Sequence, residues 1–148
     1  MRLNRIYRNY KDKVNFFCIY IQEAHPQDGW QVDSNIDDNV IFNQPKNIDE
    51  RAEVAQACML RLELAMPALL DDIQNSTDHA YVALPERLYV IGTDQRVIYQ
   101  CGPGPFGFDI PAWEQAIQSI IEWQLFPFIY AGEPIQQTAC NNSRLSES

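Results

Sequence analysis

Basic residues are scarce: 11 lysines and arginines stand against 20 acidic residues, for a formal charge of −9 over 148 residues. That balance argues against a surface that tracks nucleic-acid phosphates. The four cysteines, Cys18, Cys58, Cys101 and Cys140, are widely spaced, with no Cys-x-x-Cys and no zinc-like pairing. Structural disulfides and a metal centre are therefore not expected, and a reducing cytoplasm is the expected compartment. Met1-Arg2-Leu3-Asn4-Arg5 is followed by charged and polar residues, so no secretory signal is read there. No stretch is long and apolar enough for a bilayer: Ile117 to Ala131 is broken by Glu122, Gln124 and Pro127. Internal repeats are absent too. Neither nucleic acid nor a membrane is an expected partner.

What is present fits one domain, long enough to bury about 70% of its unfolded surface. Residues 1–131 carry the periodic pattern, and residues 132–148, filled with Gln, Asn and Ser, are expected to be a disordered tail. Leu3, Ile6, Tyr7 and Tyr10 fall at helical spacing and predict a helix over Met1 to Lys13. Val14 to Ile21 reads as a strand buried on both faces, and Val40-Ile41-Phe42 as a short strand. Asn47 and Glu50 form a capping box for a helix to about Glu63, with Ile48, Ala52, Ala55, Cys58, Met59 and Leu62 as its apolar face. Ala68-Leu69-Leu70 is a short buried strand, and Thr77 to Ala83 a helical turn. Arg87 to Gly92 and Arg96 to Gln100, joined by Thr93-Asp94-Gln95, have hairpin spacing. Asp109 caps a last helix with Pro111 in its first turn.

The polar groups arrive where the first strand stops. Tyr20-Ile21-Gln22-Glu23-Ala24-His25-Pro26 places an acid and an imidazole two residues apart at the carboxyl end of that strand, where open α/β sheets bind ligands. Glu23 and His25 are therefore candidate site residues. Imidazole exchanges protons near neutrality. A histidine that merely caps a strand end is the plainer reading of His25, as a solvated carboxylate is of Glu23.

Three motifs carry a resemblance. Tyr-Ile-x-Glu-Ala-His-Pro-x-Asp-Gly-Trp at 20–30, Pro-Glu-Arg-Leu-Tyr-Val-Ile at 85–91 and Gly-Pro-Gly-Pro-Phe-Gly-Phe at 102–108, in this element order, resemble the iodothyronine deiodinase family over about residues 3–124. The resemblance implies an α/β fold of thioredoxin-like type, a three-layer sandwich whose mixed sheet ends in a β-hairpin followed by a C-terminal helix. It also implies reductive removal of iodine from an aromatic ring by a selenocysteine or cysteine nucleophile. The family's nucleophile ends a strand that precedes the opening helix, and none of the four cysteines here matches it. The sheet is therefore expected to lack its central strand, leaving two marginal two-stranded pieces and a chain that folds poorly alone. An in-frame stop codon read as selenocysteine upstream of Met1 is the expected origin of both absences.

By the same resemblance His25, Glu23 and Glu86 are the expected catalytic residues. Tyr20 is expected to reach the substrate, and Pro85 to follow a cis bond facing the nucleophile. The competing readings are a core tyrosine at Tyr20 and an Arg87 that simply pairs with Glu86. A histidine and a basic residue that hold hormone in the animal enzymes would align near Pro45 and Pro103, so a smaller halogenated phenol stands beside an iodothyronine as substrate. The glycines and prolines of 102–107 are read as structural and Cys101 as incidental. No bound cofactor is expected. The expected partners are a small aromatic or redox substrate, an external thiol reductant and a second copy through Trp123 to Tyr130. A redoxin acting on peroxides or disulfides, and a non-catalytic module that completes its sheet with another chain, are the alternatives.

Overall fold

The computed structural model describes residues 2–27 and 42–125, with side chains as far as residue 123. Its first helix, α1, spans Arg2–Tyr10 and buries Asn4 and Ile6. A turn leads into β1, Cys18–Tyr20. The capping box then sets α2, Ile48–Arg61: Glu50 N donates to Asn47 Oδ1 at 2.9 Å and Asn47 Nδ2 to Glu50 Oε1 at 2.7 Å. Next come β2, Ala68–Leu70, and α3, Ser76–Tyr81. The hairpin is β3, Tyr89–Ile91, with β4, Val97–Gln100. The last helix, α4, spans Ile110–Leu125; Asp109 Oδ1 accepts from Ala112 N at 3.0 Å at its start.

The strands form two separate two-stranded sheets in a mixed α/β arrangement. β1 and β2 are parallel, with Cys18 opposite Ala68 and Tyr20 opposite Leu70. β3 and β4 are antiparallel, as the hairpin spacing predicts, with a register shift between Val90 and Ile91. Both sheets contribute to one core. Ile6 of α1 and Trp113, Ile117, Ile120 and Ile121 of α4 pack with Phe16, Met66, Leu88, Val90 and Cys101. Trp113 ties the two halves together. Its ring meets Phe16, just before β1, edge-on at 5.8 Å, and its Nε1 donates to the Tyr89 carbonyl at 2.9 Å.

Several expectations are corrected. The first strand is shorter than Val14 to Ile21 and is not buried on both faces: Phe17 is 57% and Ile19 42% exposed, because no described element covers that side. β2 forms but is exposed along its length. On α2, Ile48 and Leu62 are exposed, whereas Arg51, a residue outside the expected apolar face, is buried. Phe42 lies outside any strand, and Val40 and Ile41 are outside the described residues, as are the tail and most of the Trp123 to Tyr130 segment. Among the described residues no helix is long and apolar enough to cross a membrane.

Candidate functional site

β1 stops at Tyr20, and the backbone that follows takes its partners from residues 42–44 rather than from a ladder. Glu23 N donates to Gln44 Oε1 at 3.0 Å and Gln27 N to the Phe42 carbonyl at 2.7 Å, so residues 42–44 brace the loop that carries Glu23 and His25. Both are half-buried. Burial pushes the Glu23 carboxyl up, while the neighbouring Arg51 and His25 charges pull it back. Glu23 and His25 thus lie on one braced loop, near enough for the His25 charge to act on the Glu23 carboxyl. A carboxyl with a raised pKa beside an imidazole can hold and pass a proton.

Tyr20 precedes them as the last residue of β1, its OH buried with no hydrogen-bond partner among the described residues. Cys18 and Tyr20 lie opposite Ala68 and Leu70, which line an apolar pocket against Ala52, Ala55, Gln56 and Met59 of α2. The face bearing Tyr20 is thereby turned toward α2. The Leu84-Pro85 bond is cis, as expected. Glu86 does not join Glu23; it is folded onto the glycine-proline turn. Its carbonyl accepts from Gly104 N at 3.0 Å, and a Cβ on Gly104 would meet Glu86 Oε1 at 1.8 Å, so a larger residue there would push the Glu86 side chain aside. The pairing offered for Arg87 is not formed: its Nε is buried without a partner among the described residues.

No described cysteine is an activated nucleophile. Burial pushes the Cys18 thiol up, and burial with the Glu23 charge does the same to Cys58, against the pull of Arg61. Cys101 is buried, its Sγ accepting from Leu88 N at 3.0 Å. No three His, Cys, Asp or Glu side chains among the described residues converge as a metal ion would need.

Sequence reasoning missed the polar framework behind this loop. Arg51, 1% exposed, donates to the Asp71 and Asp72 carbonyls and to Asn75 Oδ1 at 2.8 Å. Asp71 is equally enclosed. Burial alone would raise its carboxyl, but hydrogen bonds from Asp78, Thr77 and Asp72 hold it below the ordinary value. The available signal was Asp71-Asp72 following an apolar strand, the same strand-end logic that singled out Glu23 and His25.

The profile of the iodothyronine deiodinase family matches residues 1–120. Thyroxine 5-deiodinase of Sparus aurata is 35% identical over 108 residues, 72% of this chain and 38% of that protein. The human thyroxine 5-deiodinase is 37% identical over 109 residues, covering 72% and 33% respectively. The Gallus gallus protein is 35% identical over 108 residues, 72% of this chain and 39% of its own length. The chain therefore spans well under half of the curated relatives it matches. With its motifs at 20–30, 85–91 and 102–108 inside the matched region, the chain belongs to the iodothyronine deiodinase family.

Proposed function

We propose that this chain forms part of a thioredoxin-like, deiodinase-type oxidoreductase that reductively dehalogenates an iodinated aromatic substrate. The observation that carries the reading is the loop after β1, braced by residues 42–44, that holds Glu23 and His25 together in a member of this family. A selenolate or thiolate from outside the given residues takes the iodine, so that the carbon–iodine bond breaks and a chalcogen–iodine bond forms. His25 delivers a proton to the ring carbon, and Glu23 replenishes the imidazole. An external thiol then displaces iodide to give a mixed chalcogenide, and a second thiol restores the nucleophile as a disulfide leaves. Tyr20 OH, buried and unpartnered among the described residues, is available to hold a substrate phenol oxygen. In this reading Pro85, after its cis bond, and Glu86 belong to the second motif that completes the site.

Iodide release from an iodinated phenol, with dithiothreitol as reductant, tests the reading on protein expressed with its upstream coding sequence. Thiol-dependent release that falls about a hundredfold or more in His25→Ala supports it, the usual scale of losing a general acid. Peroxide turnover without iodide release favours the redoxin instead. The sheet-completing module draws support from exposed Ile19 on β1 and Ile91 on β3; absence of both activities together with a stable complex with another chain favours it.

A further inference from the structure

Two halves of the candidate site lie far apart in sequence, one at residues 20–25 and the other at 84–86. Among the described residues a chain of polar side chains connects them. Gln22 Nε2 donates to Asp78 Oδ2 at 2.7 Å, and Asp78, 4% exposed, accepts at its other oxygen from Ala83 N at 3.1 Å and Leu84 N at 3.0 Å. Those are the two residues that lead into Pro85. On its other side Gln22 Oε1 accepts from Asn75 Nδ2 at 3.2 Å and from Gln44 Nε2 at 3.3 Å. Asn75 is held by Arg51, and Gln44 accepts from Glu23 N. One amide thus meets the loop bearing Glu23, the Arg51 anchor and the Asp78 carboxylate at once.

We infer that Gln22 and Asp78 are positioning residues that lock the Glu23–His25 strand end to the Leu84-Pro85 turn. The physical argument is one of satisfaction. Asp78 is enclosed and must be paired, and the charge-assisted bond from Gln22 is the long-range member of its set. Gln22 matches it because an amide both donates and accepts, whereas a carboxylate or an apolar side chain here would leave one neighbour unpaired. A shift of the strand end is thereby transmitted to the turn. The purpose assigned to this lock rests on the site proposed above; the lock itself does not.

Amide hydrogen exchange in the protein as expressed from its own gene tests it. In Gln22→Met, exchange at Ala83 and Leu84 should rise about tenfold, the scale of one lost charge-assisted hydrogen bond, although these residues are some 60 positions away. Gln22→Glu alone, which sets carboxylate against carboxylate, should do the same. The exchange of roles, Gln22→Glu with Asp78→Asn, keeps every donor facing an acceptor and should restore protection, a rescue that a merely space-filling role does not predict. The swap also keeps the test decisive if Gln22→Met does not fold. Unchanged exchange at Ala83 and Leu84 in Gln22→Glu, or a swap no better protected than Gln22→Glu, overturns the inference. Iodide release is read separately: protection lost and restored without any dehalogenation would leave the lock standing and remove its proposed purpose.

Discussion

At the scale of single residues, charge placement decides behaviour. Glu23 titrates above its ordinary 4.5 because burial disfavours its anion more than Arg51 and His25 favour it. The folded state then binds the proton more tightly than the unfolded one, so stability falls as pH rises from 4.5 to the raised value and stays level beyond it. Glu23→Gln should therefore gain on the parent at neutral pH and show no gain below pH 4.5, by under about 1 kcal/mol because solvent screens a half-buried charge. Urea titrations at pH 4 and pH 7 check this. Asp71 has the opposite sign: its depressed carboxyl stabilises at neutral pH, and that contribution is lost as pH falls through its folded value. Asp71→Ala leaves the amides of Thr77 and Asp78 without an acceptor, and about 1–3 kcal/mol should be lost at pH 7, read from the same titrations.

At the scale of elements, local chemistry was legible and long-range pairing was not. Both helix starts followed directly from Asn47 with Glu50 and from Asp109, since a cap acts within three residues. The hairpin was legible for the same reason. The burial of Arg51 was not legible, because its partners, the carbonyls at 71 and 72 and the amide of Asn75, lie 20 to 24 residues away. Burial of β1 and β2 was overestimated, because an apolar run reveals that a strand can be covered but not what covers it. Glu23 and His25 were legible as a pair; the Gln22–Asp78 bond behind them was not, having no local pattern. Trp113 is the strongest link between elements. Trp113→Ala should cost about 3–5 kcal/mol, and Trp113→Phe, which keeps the ring contact with Phe16 but orphans the Tyr89 carbonyl, about 1–2 kcal/mol, both by urea denaturation.

At the scale of the whole molecule, two small sheets contribute to one core yet leave Phe17, Ile19, Leu69, Ile91, Val97 and Ile98 exposed. Two-stranded units are marginal alone. The isolated 148-residue chain should therefore melt broadly and bind a hydrophobic dye; a sharp, dye-free melt with protease resistance would count against this. The indole of Trp113 bears on that exposure in another way. Backbone groups of β3 point alternately to β4 and away from it: the Leu88 carbonyl takes the Cys101 amide, and the Tyr89 carbonyl faces the open edge, where Trp113 already occupies it. Any strand arriving along that edge finds one of its acceptors spoken for, and must either skip that rung or displace a core side chain. A strand pairing along β3 without disturbing the core would take a register that leaves the Tyr89 carbonyl to Trp113.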